Sequence, residues 1–582
     1  MKLNIGEYVT EYTKEYIDIL GKTIIRDYIS NNENIRSNIM EAGVSDILSG
    51  ENSKTLPKAI LDYLVPKGSS NTVFDLVSDL IRTDYRLSVQ LKEQLVLSKM
   101  DIPDNKVFDK GDAYEFLTKI KEIYEYELEE EIKNYVPDLL VFIFYSIANQ
   151  LAFLSVLNHY KLNTTSNNDF SFYGENTTSM LLSLISTMDV QGIIQTSAHI
   201  GREKQIIDII FNLTYKLYNV QKPEEKAEYK MEIDIQKIYE LAHMVMKANI
   251  LLKSNGLLYE GGEVLKIQKG VLVQSGDFAQ KMNATLLDIV NFNYNQDIVN
   301  EVLRQYSKRE GFCPNDLNKF VEWSIKENGL RTCLSTRTRN ELRDLVLMET
   351  NVKEYGVDRF LDVLTLKKDK NEITHHSNKL SILPFVELEY GIFLYADNLL
   401  LQATQMLGPR MLQNSFTANK KLKDFIKKNY DEIGIKDLVN ELERADFPHL
   451  AHVDIGKVNN PDVRKLLSAK GITKEFDLVF TKDNILYVVE YKTWKISSFN
   501  IMQILNEQKK ITGFIEKHKK AIKIIENHPK EFKELFGEKI NEYNKIELVM
   551  VFQNPTAFKY LNNSKEVKVT SPKEFEIFID SL

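Results

Sequence analysis

The stretch EFDLVFTKDNILYVVEYKTWK, from Glu475 to Lys495, constrains the fold more than any other part of the chain. Two runs rich in β-branched, aromatic and aliphatic residues, FDLVF and ILYVVEYK, flank the polar TKDN. Runs of this kind bounded by turn-forming residues make strands, and a short polar break between them makes a hairpin. Reading Thr481–Asn484 as a four-residue loop pairs Phe480 with Ile485 and sets Asp477 opposite Val488. Side chains alternate across a strand, so Val488, Glu490 and Lys492 share one face, and Asp477 points to the same side. Three ionisable groups then converge at one end of an otherwise apolar hairpin. A slip of one residue in register would scatter them.

That convergence has a chemical use. Two carboxylates flanking one point can hold Mg²⁺ or Mn²⁺, hard cations that prefer oxygen ligands. Such a metal polarises a phosphodiester and lowers the pKa of a bound water. A lysine two residues along on the same face can orient that water or stabilise charge developing on phosphorus. The competing reading is a charged patch where a strand reaches solvent, with Glu490 and Lys492 simply paired. Glu-x-Lys alone is common on strands. The preceding strand led by an aspartate makes the combination selective.

The flanking sequence predicts a mixed α/β order. A helix or helix pair covers Asn419–Ala445, and a strand lies near Ala451–Lys457. The hairpin strands are Phe476–Phe480 and Ile485–Lys492. A long helix runs from Phe499 to Glu526, and a further strand covers Ile546–Phe552.

At this point the region from 416 to 582 resembles the core of the PD-(D/E)xK nuclease superfamily, the restriction-endonuclease-like fold. The resemblance implies a mixed sheet flanked by helices and Mg²⁺- or Mn²⁺-dependent phosphodiester hydrolysis. By position, Asp477 would be the metal-binding aspartate, Glu490 the second metal ligand and Lys492 the catalytic lysine. A literal Pro-Asp at Pro461–Asp462 is a rival for the first position, but NNPDVRKLL reads as a turn starting a helix. Similar nucleases often add an acid from the helix before the first strand, which nominates Glu441 as a metal ligand, with Glu443 and Asp437 as neighbours. Some members place a glutamine on the helix after the lysine strand, which nominates Gln503 over Gln508. Asp454, on the preceding strand, is a further candidate ligand or a solvated strand residue.

The same helix is basic. Lys509, Lys510, Lys517 and Lys520, with Lys519 and Lys523, would contact phosphates, or else form a solubilising face. From Lys420 onward, 29 Lys and Arg face 25 Asp and Glu. The region thus carries +4 in a chain of net charge −8, and the remainder carries −12. This asymmetry fits a C-terminal module that meets a polyanion, with DNA the expected substrate.

Residues 1–415 read as a large, mainly helical region for sensing, recruitment of partner proteins or oligomerisation. Leu117, Ile120, Tyr124 and Leu128 recur at helical spacing, and Ile17–Tyr28, Thr72–Leu97 and Ile233–Leu252 behave alike. Leu257–Val273 is the exception, a short hairpin turning at Gly261–Gly262. Leu139–Leu157 carries no charge and approaches spanning length, yet Ser146, Asn149, Gln150 and Ser155 interrupt it, so a buried core helix rather than a membrane span is expected. Cys313 and Cys333 are too few for a disulfide framework or a four-thiolate zinc site, and the start has no apolar signal core. The expected location is cytoplasmic, without a membrane partner.

Other signals carry less. His375–His376 lack partners at ligand spacing. His449 and His452 flank the first strand of the C-terminal core, and no phosphate-binding GxxxxGK[ST] loop marks an ATP-driven motor. The expected whole is multidomain, a helical N-terminal region followed by an α/β nuclease-like domain that acts as a homodimer or higher oligomer. The setting suggested by this architecture is restriction or antiviral defence, with DNA repair or recombination as an alternative. A catalytically inactive nucleic-acid-binding or scaffold protein is the reading from another class.

Overall fold

A computed structural model describes residues 3–4, 85–100, 102–135, 137–164, 190–220, 230, 232–260, 264–275, 296–328, 334–367, 379–388, 391–412, 416–469, 471–472, 475–493, 501–554, 556, 558–561 and 567–582. The chain divides into two units. One comprises Met1–Ile102, Glu115–Asn249 and Leu303–Arg410; the other comprises Pro103–Tyr114, Ile250–Val302 and Met411–Leu582.

The first unit is largely helical. In the helix Lys110–Ile132, Leu117, Ile120, Tyr124 and Leu128 are all buried, as their three- and four-residue spacing requires. Leu140 to Ala152, within the helix Pro137–Thr164, is buried without interruption and packs on the helix Val190–Val220. Among the described residues no helix is long and apolar enough to cross a membrane. The unit also holds a four-stranded sheet in the order Leu334–Thr338, Ile392–Ala396, Phe385–Glu387, Thr365–Leu366. Tyr145 and Tyr215 donate their hydroxyls to the carbonyls of Pro384 and Glu387 and so tie helices to this sheet. The segment Ile17–Tyr28, the first part of Thr72–Leu97, His375, His376 and Cys333 lie outside the described residues.

The expected glycine hairpin belongs to the second unit and is displaced. Its strands are Val264–Gln268 and Val271–Ser275, and the turn is Lys269–Gly270, both at positive φ (54° and 69°). Residues 257–260 instead finish the helix Ile235–Glu260.

The C-terminal segment of the second unit is built from α1 (Lys420–Arg444), β1 (His449–Asp454), α2 (Pro461–Leu467), β2 (Glu475–Lys482), β3 (Ile485–Lys492), α3 (Ile501–Asn527), α4 (Pro529–Phe536), β4 (Lys545–Phe552), β5 (Val567–Thr570) and α5 (Pro572–Ser581). The sheet order is β5-β4-β3-β2-β1. The pairs β1/β2 and β2/β3 are antiparallel, while β3/β4 and β4/β5 are parallel. A parallel neighbour demands a crossover, and α3 with α4 supplies it between β3 and β4.

Each face of the sheet has its own core. On one, Val479, Leu486, Val488 and Met550 meet Ile511, Ile515 and Ile525 of α3 and Phe532 of α4. On the other, Leu478, Phe480, Val489 and Val551 meet Ile435, Leu438 and Leu442 of α1 and Phe575 of α5. Fully burying one such side chain stabilises by about 1.5–3 kcal/mol. This explains why β3 and β4, covered on both faces, read as near-continuous apolar runs.

Helix starts follow their capping residues. Asn419 accepts from Leu422 N–H at the start of α1, Asn460 accepts from Asp462 N–H ahead of Pro461 in α2, and Ser571 forms a reciprocal capping box with Glu574 in α5.

The register of the β2/β3 hairpin differs from the sequence reading by two residues. Lys482 pairs with Ile485 and Phe480 with Tyr487, so the loop is only Asp483–Asn484. Both loop residues have positive φ, 49° and 61°, the conformation a tight two-residue hairpin turn needs and one that Asx residues tolerate. Thr481 and Lys482, assigned to the loop by their polarity, extend the strand instead. A shift of two preserves the face of every side chain, so the inferred convergence survives the corrected pairing. In β1, His452 also lies at positive φ, 52°, and interrupts the edge strand.

Candidate active site

The β2/β3 ladder runs from Lys482–Ile485 to Leu478–Val489 and stops there. Continuing the register would set Asp477 opposite Glu490 and give the Tyr491 N–H a backbone partner on β2. Instead, Asp477 Oδ2 accepts that N–H at 2.7 Å. The carboxylate therefore ends the ladder itself and satisfies a donor that the stopped ladder leaves behind. Tyr491 is fixed from the other face. Its hydroxyl donates to Gln553 Oε1 at 2.5 Å, and its ring lies so close to Gly434 of α1 that a Cβ there would meet ring atoms at 2.0 Å.

Glu490 and Lys492 follow on β3 and point to the α3 face. The Lys492 ammonium donates to Glu490 Oε1, lies 3.8 Å from Asp477 Oδ2 and sits 4.9 Å from the centre of the Phe514 ring. One cation thus faces both carboxylates. The second oxygen of Glu490 accepts from His518 Nε2 at 2.8 Å, and His518 Nδ1 lies 2.9 Å from the Phe514 carbonyl. The ring of His518 thus bridges the Phe514 carbonyl and the Glu490 carboxylate, both of them acceptor oxygens.

Glu490 is 5% and His518 1% exposed. Burial pushes the Glu490 carboxyl up. The hydrogen bond and charge of His518, with the Lys492 ammonium, outweigh that push and hold it below the usual glutamate value.

His518 is the site residue that the sequence reading missed. Ile511, Ile515, His518 and Ile525 recur at helical spacing and are all buried. This periodicity places a histidine on the face that packs against the sheet.

The structure separates the other candidates. Asp462 is exposed at the start of α2 and pairs with Lys465 at 3.7 Å. Glu441 is engaged by Arg444 at 2.8 Å, and Arg444 also reaches Asp580 of α5 at 2.9 Å. The helix α1 covers the opposite face of the sheet from Glu490, so the structure does not gather Glu441 with the three groups. Glu443 and Asp437 are exposed on the same helix. Asp454 accepts from Gly456 N–H at 2.9 Å and caps the turn after β1. His449 Nδ1 lies 2.9 Å from the Phe447 carbonyl, and His452 is 3.8 Å from Glu475. The side chains of Gln503, Gln508 and Lys509 lie outside the described residues.

Lys510 and Lys517 are exposed and flank Phe514 at helical neighbour spacing, with the Lys517 ammonium 5.6 Å from that ring. They border the flank of α3 where Lys492 lies. Lys520 is also exposed, but six residues on from Phe514 it turns to the outer side of the helix.

Among the described residues no group of three or more His, Cys, Asp or Glu side chains gathers at metal-holding distance. The acidic oxygens at this site come from Asp477 and Glu490. No protein-family model, no curated protein and no solved structure matches this chain.

Proposed function

We propose that the C-terminal domain is a divalent-metal-dependent nuclease of the restriction-endonuclease-like, PD-(D/E)xK type that hydrolyses phosphodiester bonds, with DNA as the substrate. The observation that carries this reading is the meeting of Asp477, Glu490 and Lys492 at the end of the central hairpin. The order of α1, three antiparallel strands, α3 and the parallel β4 supports it further.

The residues fit a hard divalent cation. Two carboxylates on adjoining strands already face one cation, the Lys492 ammonium. Each carboxylate has lone pairs beyond those its present hydrogen bonds use. Two protein carboxylates, with water and phosphate oxygens, are a usual shell for Mg²⁺. Asp477 and Glu490 would hold the ion, which would supply Lewis-acid polarisation of the phosphate and a more acidic bound water. Lys492 donates a charged hydrogen bond where negative charge develops on the phosphate oxygens. Phe514 limits the positions its ammonium takes. Lys510 and Lys517 contact backbone phosphates and set where the strand lies.

The rest of the chain senses, recruits or oligomerises, in a setting of defence against foreign DNA. A second reading, a catalytically silent nucleic-acid-binding or scaffold protein, draws on the engagement of both Glu490 oxygens by Lys492 and His518.

The deciding experiment incubates the full-length protein with plasmid, linear duplex and single-stranded DNA and with RNA, in Mg²⁺, Mn²⁺ or EDTA. Metal-dependent cleavage that is lost in Lys492→Ala and Asp477→Ala supports the nuclease. Binding without cleavage in every metal supports the silent reading.

A further inference from the structure

We propose that His518 is the positioning residue of this site, the fixed anchor that aims Glu490 at the point it shares with Asp477; this rests on the metal-nuclease reading above. A glutamate has three side-chain torsions, and a strand fixes none of them. Two groups hold Glu490, and they differ in kind. Lys492 is a long, flexible side chain on the same strand, with 14% of its side chain exposed, and its ammonium is needed at the substrate.

His518 is a rigid ring on α3, 1% exposed, pinned through Nδ1 to the Phe514 carbonyl and packed 5.8 Å from the Phe476 ring. With Oε2 held by His518, Oε1 is the oxygen left facing Lys492, whose ammonium also faces Asp477 Oδ2. The anchor stays while Lys492 can leave. Departure of Lys492 therefore exposes a carboxylate that is already oriented.

Two amide variants separate anchoring from packing. Glutamine places its amide nitrogen where the histidine has Nε2, so His518→Gln keeps the donor to Glu490. Asparagine places its nitrogen where the histidine has Nδ1, so His518→Asn keeps the Phe514 contact and loses Glu490. Both put a similar polar group in the same buried position.

The measurement is Mn²⁺ binding to the full-length protein, followed by the loss of the free-ion electron paramagnetic resonance signal, beside duplex cleavage. Outer partners of metal ligands contribute about 10–100-fold in affinity. His518→Asn is expected to weaken Mn²⁺ binding by that factor, and His518→Gln, which keeps the outer partner, to stay within about threefold of the wild type. Equal affinities in His518→Asn and the wild type, or in the two variants, overturn the proposal while leaving the nuclease reading intact. A wild type that binds no Mn²⁺, or binds it equally well as Glu490→Gln, removes the metal reading and the anchor with it.

Discussion

The double duty of Asp477 gives a prediction with a worked magnitude. Its carboxylate accepts the Tyr491 N–H at 2.7 Å and also faces the cation position. A hydrogen bond to a charged acceptor contributes about 1.5–3 kcal/mol, and 1.36 kcal/mol corresponds to tenfold. Asp477→Ala removes the acceptor, so the Tyr491 amide should exchange its hydrogen roughly ten- to hundredfold faster. Asp477→Asn keeps an oxygen at the same place and loses only the charge, so exchange should rise by less than about tenfold. Cleavage, by contrast, should be lost in both, because a neutral amide is a poor ligand for a hard dication. The assay is hydrogen–deuterium exchange with fragmentation that isolates the residue 491 amide, run beside metal-dependent cleavage. Unchanged exchange in Asp477→Ala would refute the described end of the ladder. Wild-type cleavage by Asp477→Asn would refute the assignment of Asp477 as a ligand.

Asp462→Ala should cleave like the wild type, since this exposed side chain pairs with Lys465, and a cleavage time course checks it. Gly434→Ala should destabilise the domain by at least about 1–3 kcal/mol, because its methyl overlaps the Tyr491 ring, with susceptibility to limited proteolysis as the readout. Reversing charge in Lys510→Glu or Lys517→Glu should weaken DNA binding and flatten its salt dependence by about one unit of slope each, and Lys520→Glu should do so less, as titrations at several salt concentrations will report. In the first unit, burial, then the charges of Arg202 and Lys247, lower the pKa of His243 from 6.5 to about 4. Between these values the unfolded chain binds the proton and the folded one does not. The unit should therefore lose stability as pH falls from 6.5 toward 4, by roughly 3 kcal/mol at most. Thermal denaturation of His243→Phe should lack this slope.

Much of the C-terminal core is legible because its signals are local. The alternation through Val488, Glu490 and Lys492 fixes which side chains share a face whatever the length of the turn. An error of two residues at Asp483–Asn484 therefore leaves the site intact. The turn type was hidden because Thr481 and Lys482 are polar and yet complete the strand. The sharing of Arg444 between Glu441 and Asp580 could not be read from the chain, since Asp580 reaches Arg444 only when α5 docks on α1. His518 was within reach, as a histidine on an apolar helical stripe, but its partner Glu490 is a tertiary neighbour. The sheet of the first unit escaped notice because its strands are only two to five residues long and lie scattered between helices.

The left-handed residue in β1 bears on how copies of this chain can associate. An uninterrupted edge strand offers a row of unpaired amides and carbonyls on which another strand can grow. His452, at φ 52°, breaks that row midway along β1, and the other edge, β5, is four residues long with Pro572 just beyond it. Neither edge offers a long regular row for continuing the sheet into a second molecule. If the proposed nuclease acts on a duplex as two copies, they are expected to meet by surfaces other than these strand edges. A dimer joined by a ladder along β1 would contradict this.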